Sequence, residues 1–180
     1  MAVILRKAGS PDIPALELLI DESVRTLQAA DYTAEQIAGA LGTVFGVDTQ
    51  LIRDGTYFVA EDGSQIVACG GWSRRKTPFG SDHGPEKDDS LLDPLTEAAR
   101  IRAFFVRPGW ARRGIGSRIL RACEEDAAAH GFRRLELVAT LTGEPLYRVH
   151  GFEAQERLSL ALPNGANLPV VRMAKGMDRI

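Results

Sequence analysis

Cysteine is scarce: Cys69 and Cys123 are the only two in 180 residues, too few and too far apart for a disulfide framework or a paired-cysteine zinc site. Both are expected to be reduced and buried. With three histidines spread along the chain and only scattered carboxylates, no metal is expected either. Long apolar runs are missing; none approaches the about 18 residues of a membrane span, so no membrane partner is expected. The apolar start Val3-Ile4-Leu5 is short and precedes its basic residues Arg6 and Lys7, the reverse of a secretory leader, and a cytoplasmic location follows as an expectation. An excess of positive charge is absent too. Lys and Arg number 22 against 24 Asp and Glu, a formal net charge of -2, which argues against a nucleic-acid partner. What is present is 44% hydrophobic and 26% charged residues, the composition of a protein that buries a core. The length suits one domain spanning residues 1–180.

Hydrophobic spacing then orders the chain. Val3 to Arg6 reads as a strand, and Ser10-Pro11-Asp12 offers capping and first-turn residues to a helix with Ile13, Leu16, Leu19, Ile20, Val24 and Leu27 on one face. Thr33 caps a second helix carrying Ile37, Leu41 and Val44. Thr56–Ala60 and Gln65–Trp72 flank an Asp-Gly turn and predict a hairpin. Residues 73–97 lack periodicity and form a long loop, a kind that is commonly functional. Ala98–Val106 reads as a strand, Ile115, Ile119, Cys123 and Ala127 share a helical face with Gly131 as its C-cap, and Arg134–Ala139 is a further strand. Glu144–His150 reads as a short helix and Leu168–Met173 as a last strand. Strands separated by a helix imply a partly parallel sheet.

Between a strand and a helix stands Arg112-Arg113-Gly114-Ile115-Gly116-Ser117. Glycines let the backbone approach an anion, and the first-turn N–H groups and the positive end of the helix dipole point at it, so a pyrophosphate is the expected guest. The segment is not a Walker loop, since Ser117-Arg118 follows Gly116, nor a dinucleotide fingerprint, since Ile119 stands where a third glycine belongs. A nucleotide-binding protein is correspondingly disfavoured.

Ala111-Arg112-Arg113-Gly114-Ile115-Gly116 resembles the coenzyme A loop, Gln/Arg-x-x-Gly-x-Gly/Ala, of the Gcn5-related N-acetyltransferase superfamily, with Ala111 replacing the first residue. Leu146-Tyr147-Arg148-Val149-His150-Gly151-Phe152 is similar to that superfamily's aromatic-Tyr-x-x-x-Gly-Phe signature, with Thr140 where an Asn is usual seven positions before the tyrosine. The resemblance implies an α/β (α+β) fold: a mixed, mostly antiparallel sheet of six to seven strands with a parallel pair in the middle, flanked by about four helices. It also implies acetyl-CoA as cosubstrate and a primary amine of a small molecule or protein as acceptor. Dimers are common in similar proteins, so a homodimer is an open expectation. On this resemblance the pantetheine arm pairs with the backbone of Phe104, Phe105 and Val106, where one N–H polarises the acetyl carbonyl. Arg112, Arg113, Gly114, Ile115, Gly116 and Ser117 hold the pyrophosphate, while Thr140, Gly143 and Tyr147 complete the coenzyme site.

Tyr147 is the candidate general acid, because a phenol of pKa about 10 is protonated at neutral pH when a thiolate of pKa about 8.5 departs. Glu97 is the leading candidate base, being just before the strand whose far end meets the thioester; His83, Asp82, Glu86, Asp88, Asp89 and Asp93 are the others. Trp72 and Phe58 read as core or acceptor-pocket wall, and His150 as a favourable cation at a helix C-terminus. Cys69, beside Gly70-Gly71, reads as packing, with a reactive thiol as the alternative. The rival to an enzyme is a non-catalytic acyl-CoA sensor. Seven of the 22 basic residues lie between Arg100 and Arg121, with no acidic residue among them, which suggests a basic anion site in an otherwise acidic body.

Overall fold

A computed structural model describes residues 2–84 and 87–178, and Glu86 lies outside them. Strands β1 (Ile4–Lys7), β2 (Tyr57–Asp62), β3 (Gln65–Ser73), β4 (Ala99–Val106), β5 (Arg134–Thr140), β6 (Glu153–Ala161) and β7 (Asn167–Gly176) form one sheet ordered β1-β2-β3-β4-β5-β7-β6. Only β4 and β5 are parallel. The crossover between them is helix α4 (Ile115–Ala129), as a parallel pair requires. The other helices are α1 (Ile13–Leu27), α2 (Ala34–Ala40), α3 (Thr49–Arg53) and α5 (Glu144–Val149).

Each element has a local cause. Asp12 accepts the Gly9 N–H at 2.8 Å and a two-pronged pair from Arg6, so Ser10–Asp12 form a separate 3-10 turn ahead of α1 instead of its first turn. At α2, Thr33 and Gln36 exchange side-chain and backbone hydrogen bonds in a capping box. Gly63, at φ +61°, turns the β2–β3 hairpin, and Gly131, at φ +90°, ends α4. Two apolar layers cover the sheet. On one face Ile119, Cys123 and Ala127 of α4 pack on Trp72, Leu135 and Met173; on the other Leu16, Leu19 and Leu51 of α1 and α3 pack on Tyr57, Val59 and Leu168.

Two elements escape the hydrophobic pattern. Helix α3 is too short, at five residues, to show a helical period, and β6 is an edge strand exposed along most of its length. The loop 73–97 is tied at its base, where Lys76 N–H donates to Ser90 O and Leu92 N–H to Arg74 O, and Arg75 makes a two-pronged pair with Asp54.

Beyond Ala99↔Leu135 and Arg100↔Glu136, β4 and β5 no longer pair. On its other side β4 is bulged: Cys69 pairs with Phe105 and Gly71 with Arg102, so Ala103 and Phe104 together oppose Gly70. Ala103 takes φ +57°, a conformation alanine rarely adopts. The divergence and the bulge lie side by side, and the gap between the strands opens there.

Candidate functional site

A cavity of ≈ 650 Å³ passes through that gap and is lined by residues from both faces of the sheet. On the α4 face its wall is the loop before α4. Gly114, at φ +76°, caps the helix, and a Cβ there would touch nothing, so the backbone angle and not space calls for glycine. Arg118 N–H makes the first helical bond, to Gly114 O at 3.1 Å. The N–H groups of Ile115, Gly116 and Ser117 therefore have no carbonyl within the helix, and all three residues line the cavity. A Cβ on Gly116 would stand 3.3 Å from Leu146, so α5 packs closely over this turn. This is a backbone cradle suited to a phosphate group.

Arg112 lines the cavity at φ +65°, whereas Arg113 stacks on the Trp110 ring at 4.9 Å and does not. The arginine block is therefore less of an anion site than its spacing suggests. Arg100 is paired with Glu136, Arg102 with Asp48, and Arg107 with Glu22.

The middle of the cavity is built by the β4 bulge. Ala103, Phe104, Phe105 and Val106 all line it. Buried Tyr57 donates its hydroxyl to the Ala103 carbonyl at 3.3 Å, and the Cys69 thiol approaches the same oxygen at 3.9 Å. Burial pushes the Cys69 thiol up to about 12, so it stays protonated and is a packing donor, not the reactive thiol of the alternative reading. Gly70 also finds its reason here, since a Cβ would meet the Phe104 ring at 2.7 Å; at neighbouring Gly71 the obstacle is Thr56 O at 2.7 Å, on the β2 side.

Across the gap, Thr140 and Gly143 line the cavity, and Gly143 N–H donates to Thr140 Oγ1 at 2.9 Å. Tyr147, on α5, packs edge-on against Phe104 and Phe152 and lines the same space, and its hydroxyl has no hydrogen-bond partner among the described residues. Burial drives its pKa well above the ordinary phenol value, so it remains a proton donor at any physiological pH. His150 is not a free cation at the end of α5. Its Nε2 meets Ser117 Oγ at 2.8 Å, and burial lowers its pKa, which favours the neutral ring.

The candidate bases are not brought to the cavity. Glu97 lies two residues before β4, about 20 Å along the strand from Ala103 at ~3.3 Å per residue, and its carboxylate accepts the Asp93 N–H at 2.8 Å. Asp82 accepts from Thr49, and with His83 it borders a separate hollow beside α1. Asp88 and Asp93 bind the turns of their own loop. Among the described residues no Asp, Glu or His lines the cavity, and no group of three such ligands is placed to hold a metal ion. Trp72 is core: fully buried, it donates to Asp126 at 2.9 Å on the α4 face.

On the α1 face the spacing of the sequence does not disclose the wall. Ser23, Leu27 and Gln28 from the end of α1, Phe45 from the loop after α2, and Phe79 and Gly80 from the long loop enclose this end. Arg102 positions it. Almost wholly buried, its guanidinium pairs with Asp48 at 2.8 Å and donates to Thr77 O and Gly80 O, pinning the long loop over the cavity.

Residues 53–154 match the family model described as an acetyltransferase (GNAT) domain. Among solved structures, a GCN5-related N-acetyltransferase from Rhodopseudomonas palustris is similar with a TM-score of 0.71 at 20% identity, over 98% of this chain and 97% of that one. PaiA N-acetyltransferase from Thermoplasma acidophilum, in complex with coenzyme A, is similar at 14% identity with a TM-score of 0.66, over 98% and 99% of the two chains. A ribosomal-protein-alanine N-acetyltransferase from Brucella melitensis is similar at 20% identity and a TM-score of 0.64, over 97% and 99%. No curated protein matches the sequence.

Proposed function

The chain belongs to the GNAT acetyltransferase family, and from that premise we propose that it transfers an acetyl group from acetyl-CoA to a primary amine by direct attack in a ternary complex. The observation that carries this reading is one cavity joining a helix N-terminal cradle, a strained strand bulge and an unpartnered tyrosine hydroxyl. Acetyl-CoA supplies a thioester, whose C–S bond breaks as the amine nitrogen forms the new C–N bond. The backbone of Ile115, Gly116 and Ser117 holds the pyrophosphate, with Arg112 at its side. The backbone of β4 at Phe104, Phe105 and Val106 holds the pantetheine arm and presents an N–H to the acetyl oxygen, in the manner of an oxyanion donor. Tyr147 gives its proton to the departing sulfur. The amine's surplus proton passes to water, and the Tyr147 phenolate takes a proton back from water, so the enzyme ends as it began.

The acceptor is a small-molecule or protein amine; the similar structure from Brucella melitensis is a ribosomal-protein-alanine N-acetyltransferase, and another from Neisseria gonorrhoeae is an N-acetylglutamate synthase. Two experiments test the reading together. Acetyl-CoA and CoA raise the melting temperature where ATP and NAD do not, and thiol release from acetyl-CoA follows addition of a competent amine. Tyr147→Phe keeps acetyl-CoA affinity and lowers kcat by about 10²–10⁴-fold, the scale of positioned acid catalysis. Stabilisation by CoA with no turnover on any amine supports the sensor instead, and an unchanged kcat removes Tyr147 as the acid.

A further inference from the structure

The α1 end of the cavity has a chemistry of its own. Leu27, Phe45 and Phe79 make its wall apolar, and among the described residues the only charged side chains lining the cavity are Arg102 and Arg112. Arg102 is already committed to Asp48, Thr77 O and Gly80 O. Neighbouring carboxylates are engaged outside the lining: Asp48 by Arg102 and Lys87, Asp31 by the Thr142 hydroxyl, and Glu22 by Arg107. An ammonium entering here gains no counter-charge and meets no group to take its proton. An amine has to arrive neutral, which selects against strongly basic alkyl amines.

One polar group stands out on this wall. Gln28 lines the cavity and is only 6% exposed, yet its side-chain carbonyl oxygen is enclosed with no hydrogen-bond partner. A buried amide left unpaired is uncommon because it loses its hydration without compensation. The amide rotates about its last side-chain bond over a broad range, so it can turn either its oxygen or its NH2 towards a guest. The partner that satisfies both is another amide. Gln28 closes α1, whose buried face is held in the core by Leu16, Leu19, Ile20 and Val24, so the group sits on a rigid support.

We propose that the acceptor is an α-amino amide, a weakly basic primary amine adjacent to an amide group and carrying an apolar substituent, with Gln28 pairing to that amide and Leu27, Phe45 and Phe79 enclosing the substituent. The inference rests on the transferase reading and names its substrate class. Free amino-acid amides and the N-terminus of a peptide share this chemistry. At pH 7 an α-amine of pKa about 7.7–8.0 is neutral about 300 times more often than an alkyl amine of pKa about 10.4.

Three probes carrying the same ring test the proposal: phenylalaninamide, 2-phenylethylamine and phenylalanine, assayed by thiol release with acetyl-CoA. At pH 7 phenylalaninamide has the highest kcat/KM, by about 10²-fold over phenylethylamine, and that gap narrows as the pH is raised towards 10. Gln28→Leu raises KM for phenylalaninamide about tenfold and weakens calorimetric binding of N-acetylphenylalaninamide equally, while KM for phenylethylamine and for acetyl-CoA stays put. A peptide beginning with Phe, compared with phenylalaninamide, tells the two sources apart. Equal rates for phenylethylamine at pH 7, a preference for phenylalanine, or a Gln28→Leu enzyme with unchanged KM for the amide overturns the proposal. These comparisons on the unaltered enzyme stand even where the variant folds poorly. Failure of acetyl-CoA to bind overturns the transferase reading itself, a result distinct from acetyl-CoA binding with the wrong acceptor order.

Discussion

Tyr57→Phe removes one oxygen atom from beneath the β4 bulge, and its consequences can be worked out from the surroundings. The side chain is fully buried, and burial raises its pKa far above the ordinary value, so the hydroxyl donates to Ala103 O at every accessible pH. At 3.3 Å the bond is on the long side, and its loss costs about 1 kcal/mol, with Cys69 at 3.9 Å a weak substitute. For a domain of this size that lowers Tm by about 2–4 °C. Alanine in the left-handed region at Ala103 costs about 1–2 kcal/mol, so the anchor and the strain it opposes are of the same size. Without the anchor the bulge relaxes, and on the proposed mechanism the β4 N–H moves away from the acetyl oxygen. An oxyanion donor contributes about 10²–10³ in kcat, and a displaced donor forfeits part of that. The expected result is a 10–100-fold fall in kcat, on the order of the displaced-donor loss, with KM for acetyl-CoA within about twofold. Glycine tolerates the bulge angle, so Tyr57→Phe costs less in an Ala103→Gly background, with a coupling of about 1 kcal/mol in a double-mutant cycle of urea unfolding. Additive effects on stability together with an unchanged kcat refute the reasoning and reduce Tyr57 to packing.

Further consequences are open to simple measurement. Gly114→Ala meets no steric obstacle but forces alanine to φ +76°, so a loss of about 1–2 kcal/mol in urea unfolding is expected, with weaker acetyl-CoA binding by calorimetry. Asp48→Ala strands the buried Arg102 guanidinium and costs about 3–5 kcal/mol; a thermal shift smaller than a few degrees counts against the pinning of the long loop. Arg75 beside Asp54 holds that carboxyl below its ordinary value, so the pair's contribution is fully present above about pH 4 and fades as the pH falls through the folded pKa. Asp54→Asn therefore shows a flatter decline of unfolding free energy below about pH 4 than the parent. Neither Cys69 nor Cys123, both buried with raised pKa values, reacts with a thiol reagent until the protein is unfolded; labelling in native buffer contradicts the packing described.

The cradle at the start of α4 is legible in the sequence because its geometry is local. Gly114, Ile115, Gly116 and Ser117 are consecutive, the groups they present to the cavity are backbone N–H groups, and a strand before and a helix after suffice to orient them. Tyr147 is readable for the same reason, lying a fixed distance before Gly151-Phe152 on a short helix. The α1 end of the cavity is not local. Gln28, Phe45, Phe79 and Arg102 come from four separate segments, and only the packing of α1 and the long loop against β4 brings them together. Glu97 illustrates the converse error: adjacency to the right strand in sequence puts it at the wrong end of that strand in space.

The bulge shows why strand alternation alone misleads here. Ala98–Val106 reads as an uninterrupted strand, but Ala99 and Ile101 pack on the α4 face while Phe105, which alternation would place with them, meets Phe45 on the α1 face. Ala103, where the extra residue is inserted, belongs with the α1 face as well. One residue at positive φ thus shifts the register of β4, turns its backbone away from β5 and leaves N–H groups without a strand to pair with. A readable trace of this exists in the partner strand. Two successive glycines in the middle of an otherwise apolar β3 mark a close approach: Gly70 lies opposite the insertion, where the Phe104 ring leaves no room for a Cβ, and Gly71 lies against Thr56 O just before β2. The strain at Ala103 and the bare backbone of Gly70 are two sides of one insertion, so a side chain at Gly70 has to displace the Phe104 ring that lines the cavity.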